Sequence, residues 1–260
     1  MKILATNDDG IYARGLWLLV RELAKAAEVT VVAPDREQSG VGTSVTLHHP
    51  LRLRRMRPRV KGIETYSVEG TPADSVIIAL GHVMKEGVDL VISGINEGAN
   101  LGNDVFISGT VGAALQGYFY GVPSLAIGVA ALENLRFGVA AKLAGLLVGH
   151  IAQKALPQPF LLNITLPNRP LGRIQGIEVT RLGRRSYSDD IQEGHDGRRD
   201  YYWIMRGKAE WQKDPGTDVW AVLKNRISIT PLETDLTRSP LVSSLKKLCP
   251  LLFQELRSET

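Results

Sequence analysis

Cysteine is nearly absent: Cys249 stands alone in 260 residues. A single thiol closes no intramolecular disulfide and builds no thiolate metal cluster, so a reducing compartment, the cytoplasm, is expected. No apolar run approaches the roughly 18 residues that a membrane span needs. Residues 1–10 also lack the basic start and long apolar core of a secretory leader, so no membrane partner is expected. Several catalytic signatures are missing too. There is no G-x-x-x-x-G-K-[ST] loop, no G-x-G-x-x-G after the first apolar run and no G-x-S-x-G elbow. The histidines, at 48, 49, 82, 150 and 195, show no H-E-x-x-H spacing. These absences argue against nucleoside triphosphatase, dinucleotide, serine-hydrolase and zinc-protease chemistry.

What is present is a large apolar content, 44% against 22% charged, enough for a substantial core. Lys and Arg outnumber Asp and Glu by only 31 to 27, a small excess that suits an anionic small substrate without demanding one. Six of the ten residues in RLRRMRPRVK, 52–61, are basic. That run is either an electrostatic footprint for nucleic acid or polyphosphate, or an exposed strand whose charges blunt edge pairing. No aromatics interleave with it, so specific nucleic-acid binding is not expected.

Strand-length apolar runs alternate with helix-length amphipathic ones: KILAT (2–6), GLWLLVRELAKA (15–26), VTVVAP (29–34), SVIIALGHVM (75–84), DLVISG (89–94), VGAALQGYFYG (111–121), PSLAIGVA (123–130) and a helix over 133–151. This alternation predicts an α/β fold, a doubly wound and mainly parallel sheet with helices on both faces. PFLLNITLP (159–167) adds a fifth sheet strand, and residues 40–70 read as a hairpin excursion beside the sheet. The expected organisation is a core over 1–170 that binds metal and phosphate, followed by 171–260. That second region holds period-two segments at 174–182, 201–207 and 227–232, which read as hairpin extensions. A polar loop over 184–200 separates the first two segments, and the tail, 239–254, is helical. A loop that long in a folded unit is usually functional, disordered or an oligomer contact.

In an open parallel sheet, ligands bind at the carboxyl ends of the strands. Strand one delivers Asn7, Asp8, Asp9 and Gly10 there, strand two Ser39, and strand three Asn96 and Asn100; Ser108, Gly109 and Thr110 precede a helix. Carboxylate, amide and hydroxyl oxygens are hard ligands suited to Mg²⁺, Mn²⁺ or Ca²⁺. A divalent cation would cancel the repulsion of two adjacent acids. The Ser-Gly-Thr stretch at a helix N-terminus suits phosphate. Each feature also has a plain structural alternative: Asp8 or Asp9 capping the next helix, Asn96 and Asn100 shaping turns, Ser108 or Thr110 serving only as a cap. The sequence lacks the third-strand aspartate of phosphoacceptor receivers and the Asp-x-Asp of haloacid-dehalogenase phosphatases.

Longer stretches carry a resemblance. ILATNDDG (3–10), VVAPDREQSGVGTSVTL (31–47), GTPADS (70–75), DLVISGINEGANLGNDVFISGTVGAALQG (89–117), GVPSLAIG (121–128), LLNITLP (161–167) and ISITPLETDLT (227–237) resemble the survival protein E, or SurE, family. The resemblance spans most of the chain and implies a Rossmann-like fold. It also implies a metal-dependent phosphomonoesterase acting on nucleoside monophosphates, with exopolyphosphatase activity in some members. By the same resemblance one Mg²⁺ or Mn²⁺ per subunit is held by Asp8, Asp9, Ser39 and Asn96. The assembly it implies is a homodimer or homotetramer that uses the second half of the chain. Ile107 stands where the family usually has an aromatic, Gln116 where it commonly has Glu, and Tyr12-Ala13-Arg14-Gly15 departs from the usual entry to the first helix. The rival expectation is a non-catalytic nucleotide or polyphosphate binder using 52–61.

Overall fold

β1 (Lys2–Thr6) is five residues, four of them fully buried. Ile3 and Ala5 join one apolar cluster while Leu4 joins another, as the two-residue period of a strand covered on both faces requires. In the computed structural model, residues 1–186, 189–206, 210–212, 214–237 and 239–258 are described. The other strands are β2 (Glu28–Pro34), β3 (Leu53–Arg55), β4 (Glu64–Val68), β5 (Leu90–Glu97), β6 (Ser124–Ala130), β7 (Leu161–Pro167), β8 (Ile177–Val179), β9 (Arg185–Ser186), β10 (Asp189–His195), β11 (Asp200–Arg206), β12 (Glu210–Trp211) and β13 (Ile227–Pro231). The helices are α1 (Arg14–Leu23), α2 (Pro72–Ile78), α3 (Gly109–Phe119), α4 (Phe137–Ala152), α5 (Asp218–Leu223) and α6 (Ser239–Ser258).

Nine strands form one sheet in the order β3-β4-β2-β1-β5-β6-β7-β13-β8. The run from β4 to β7 is parallel, and β3 and β13 join it antiparallel. α1 and α4 cover one face through Leu16, Leu19, Val20, Ala140, Ala144 and Val148, and α2 and α3 cover the other through Val76 and Ala113. The chain leaves β1 for β2 on one side and returns to β5 on the other. The crevice between the carboxyl ends of β1 and β5 is therefore a topological switch point.

The expected α/β architecture holds, with local differences. The helix expected over 75–84 starts earlier, at Pro72, because Thr71 and Asp74 form a reciprocal capping box, and it passes into a π turn over Ala79–Val83. The helix expected from 133 starts at Phe137: Asn134 has φ +53°, which interrupts a right-handed helix. Part of the expected polar loop, 184–200, is strand. β10 pairs with β11 from Asp189↔Arg206 to His195↔Asp200, so acidic and polar side chains did not prevent pairing with the aromatic strand opposite; residues 187–188 lie outside the described residues. The segment at 227–232 extends the main sheet as β13 rather than a separate hairpin. It sits between β7 and β8, where Ser228 and Thr230 each pair with the Thr180 hydroxyl at 2.7 Å.

The start of the basic run forms the edge strand β3, Leu53–Arg55. Arg52 and Arg54 both reach Glu69, Arg55 reaches Glu64, and Arg59 donates to the Tyr12 carbonyl and lies over the Tyr12 ring. Hydrogen bonding from Arg52 holds the Glu69 carboxyl below its usual range. These neutralised pairs fit the edge-blunting reading. No helix among the described residues is long and apolar enough to cross a membrane.

Candidate active site

The turn after β1 is built so that an acid pair can be buried. The Asn7 side-chain amide donates to the Gly10 carbonyl at 3.0 Å, and Gly10 has φ +91°. A Cβ there would lie 2.8 Å from the Arg36 carbonyl carbon, so only glycine lets the β1 and β2 loops meet. The Gln38 N–H then donates to the Asp8 carbonyl at 2.7 Å, which brings Ser39 beside the acids. Neither acid caps α1: its N-cap is Ala13, without a side-chain cap, and its first turn carries no acid.

Asp8 is 4% exposed, covered by the start of α3. The Thr110 hydroxyl donates to Asp8 Oδ1 at 2.5 Å, and a Cβ on Gly109 would lie 2.8 Å from the Asp8 Cβ. Ser108 is the N-cap of α3, its Oγ accepting from the Val111 N–H at 3.1 Å. That cap leaves the Gly109 and Thr110 N–H groups, at the first two helical positions, without partners inside the helix. β5 supplies Asn96, whose amide nitrogen donates to the Gly98 carbonyl at 3.2 Å, and the segment just past it supplies Asn100. The Asn163 side chain donates to the Asn100 carbonyl at 2.7 Å, while Asn100 Nδ2 is buried without a partner.

One cavity of about 1020 Å³ gathers Asp8, Asp9, Ser39, Asn96, Asn100 and Ser108 on its wall. Gly109 and Thr110 are not on that wall; they stand behind Asp8. Sequence reasoning missed Glu37, Asp104 and the apolar lining from Leu132, Val219, Val222 and Leu223. Glu37 had a signal, two residues before Ser39 just past β2, and the Ser39 hydroxyl donates to its Oε1 at 2.8 Å. The contribution of α5 had none, because it follows the wall's other residues by more than 80 positions.

The acids are strained electrostatically. Burial, then the charges of Asp8 and Glu97, push the Asp9 carboxyl up to about 8, offset in part by the Glu97 backbone N–H. Burial likewise raises Asp8 against the Thr110 hydrogen bond. Asp9 Oδ2 is buried with no hydrogen-bond partner. Among the described residues no three His, Cys, Asp or Glu side chains form a ready metal cluster, so a cation here would rest on two carboxylates completed by neutral oxygens. Those donors, Asp8, Asp9, Ser39 Oγ and Asn96 Oδ1, fit a hard divalent ion, and the orphaned Asp9 oxygen is the kind of group that one satisfies.

A second buried acid organises the far wall. Asp218, fully buried at the start of α5, accepts at Oδ1 from the Gly183 and Val219 N–H groups at 2.7 and 2.8 Å, and at Oδ2 from the Gly102 N–H at 2.7 Å. Burial raises its carboxyl despite these three donors. It ties α5 to the segment between Asn100 and Ser108. Asp218→Ala strands the three N–H groups, and urea unfolding is expected to show a loss of about 3 kcal/mol.

Comparison with known proteins agrees with this picture. The family model for survival protein SurE matches residues 3–189. A 5′-nucleotidase SurE of Dehalococcoides mccartyi is 48% identical over 242 residues, covering 92% of this chain and 91% of that protein. One from Vibrio cholerae is 46% identical over 239 residues, covering 91% and 93%. The crystal structure of a SurE protein from Aquifex aeolicus superposes with a TM-score of 0.81 at 39% identity, covering 95% of this chain and 99% of that one. With its family model matched over most of its length and relatives near half identical across nine tenths of it, this chain belongs to the SurE family.

Proposed function

We propose that the chain is a divalent-metal-dependent phosphomonoesterase that hydrolyses nucleoside 5′-monophosphates, and 3′-monophosphates, to nucleoside and phosphate. The observation that carries this reading is the convergence of Asp8, Asp9, Ser39 and Asn96 with Asn100 and the α3 N-cap Ser108 on one cavity at the sheet's switch point. The name 5′-nucleotidase on the relatives supports it.

Asp8, Asp9, Ser39 and Asn96 would hold one Mg²⁺ or Mn²⁺, which when bound supplies positive charge against a nonbridging phosphate oxygen. The chain's own groups do the rest. Ser108 Oγ, on the cavity wall, offers a donor to the remaining phosphate oxygens, and Asn100 Nδ2 is a second, whereas Gly109 and Thr110 back Asp8 instead. Thr110 Oγ1 is committed to Asp8 and orients it. In hydrolysis a water oxygen bonds to phosphorus, the ester P–O bond breaks, and a proton passes from the water to the departing nucleoside oxygen. A carboxylate oxygen of the Asp8–Asp9 pair handles that proton.

A polyanion finds less support. The cavity wall carries Asp8, Asp9, Glu37, Glu97 and Asp104 and, among the described residues, no Lys or Arg, so polyphosphate ranks below a monoester. The rival, a non-catalytic binder using 52–61, loses ground because Arg52, Arg54 and Arg55 are already paired. We read the assembly as a homodimer or homotetramer in the cytoplasm. Tyr202 and Ile204 on one face of β11, and Leu241, Leu245, Leu248 and Leu252 along α6, are exposed apolar rows that a second copy would cover.

Phosphate release from 5′-AMP, measured with and without EDTA, tests the reading: release that EDTA abolishes supports it, and binding without release overturns it. Metal binding should also follow the Asp9 proton. Because its carboxyl holds a proton up to about 8 in the metal-free protein, a cation must expel that proton. Mn²⁺ is therefore expected to raise the melting temperature more at pH 8.5 than at pH 6. At pH 6 a titration should also release close to one proton per cation, and equal shifts at both pH values would contradict the acid pair as the ligand.

A further inference from the structure

A phosphate and one cation fill only a small part of a cavity of about 1020 Å³, a size typical of sites that enclose a whole organic ligand. Its wall is divided in character. The strand ends supply oxygens, and the opposite side is aliphatic, built from Leu132 just past β6 and from Val219, Val222 and Leu223. Positions 219, 222 and 223 are spaced i, i+3 and i+4, so one face of α5 presents all three. Val219 is anchored at 1% exposure, whereas Leu132 and Leu223 remain 81% and 51% exposed although both line the cavity. Large aliphatic side chains left wet on a cavity wall gain from an apolar occupant. The Asp218 clamp to Gly102 and Gly183 fixes α5 in place before any ligand arrives.

We infer that this aliphatic wall receives the base of the nucleoside leaving group, with Leu132 and Leu223 as specificity-determining residues. The inference rests on the monoester reading above and adds to it the part of the substrate that is recognised away from the phosphate. A heterocyclic base is flat and weakly hydrated on its faces, so it suits two leucines. A sugar phosphate without a base leaves them wet, and a second phosphate group brings charge against apolar and acidic walls. Base contact remote from phosphorus adds to kcat/KM without touching the reacting atoms.

The experiment compares kcat/KM for 5′-AMP and for ribose 5-phosphate, which lacks the base, in the wild type, Leu132→Asp and Leu223→Asp, with melting temperatures recorded for each. The expected result is a fall of about tenfold in the AMP to ribose 5-phosphate ratio for each variant, the size that one apolar contact commands. Leu132→Trp, which offers the base a larger surface, should move the ratio the other way. A ratio unchanged in all three variants, with both substrates still turned over, overturns the wall alone. Release from neither substrate by the wild type brings down the monoester reading, and this inference with it.

Discussion

Asp9→Asn lowers kcat/KM for 5′-AMP by about 10³-fold while the metal-free protein melts at a higher temperature than the wild type at pH 8.5. The two halves of this expected result have one cause. Asp9 stands beside Asp8 in a buried turn, with Oδ2 unpartnered and its carboxyl lifted to about 8. A folded-state value above the unfolded one means that the native protein holds a proton which the unfolded chain has already lost. Stability therefore falls as pH rises from about 4 to about 8, and the full penalty stands above that. Asparagine removes the penalty, so the gain in melting temperature should vanish near pH 4 and be largest above pH 8. It also removes a charged ligand and a proton acceptor at the reaction centre, which activity registers. Circular dichroism melts and phosphate-release kinetics on the same preparation test both halves; a variant that keeps wild-type turnover with saturating Mn²⁺ would remove Asp9 from the site.

Gly109→Ala should cost about 10²-fold in kcat, the loss that follows when a reacting group is displaced by about 1 Å. The new Cβ would start 2.8 Å from the Asp8 Cβ, 3.1 Å from Asp8 Oδ2 and 3.1 Å from the Gln38 carbonyl oxygen. Two of those three contacts are on an acid that Thr110 and the Gln38 N–H hold in place, so the strain goes into the acid pair or into the α3 N-terminus. The first is the proposed metal site, and the second carries the phosphate donor Ser108. Alanine is otherwise welcome at the first helical position, so helix content should survive. Because the acid pair and the phosphate donors separate together, kcat is expected to fall further than KM rises. A rise in KM with kcat intact would mean that Gly109 matters only for entry of the substrate.

Most of the α/β core was legible because its signals are local in sequence. Ile3, Leu4 and Ala5 read as a strand buried on both faces, and Leu16, Leu19, Val20 and Leu23 read as one face of a helix, in both cases correctly. Helix starts were less legible. Thr71, Pro72 and Asp74 spell a capping box that the apolar pattern over 75–84 overshadowed, and Asn134 broke a helix by adopting a positive φ that nothing in its neighbours announces. The polar segment around Glu193 pairs as a strand because β11 supplies the partner, a tertiary cause outweighing composition.

At the site, the sequence by itself determined which oxygens end each strand: Asp8 and Asp9, Ser39, Asn96 and Asn100, and Ser108 before α3. A parallel sheet sends all of its carboxyl ends to one edge, so strand assignment alone places these residues together. Tertiary structure decided how they are shared out. It made Thr110 a partner of Asp8 rather than part of the wall, left Asp9 Oδ2 bare, and neutralised Arg52, Arg54 and Arg55 with Glu64 and Glu69. It also carried α5, some 210 residues after the acid pair, across to close the cavity with Val219, Val222 and Leu223. The physical reason is range. Periodicity and capping act over a few residues, whereas the Asp218 bonds to Gly102 and Gly183 span 116 and 35 positions and exist only once β13 has docked α5 beside β7.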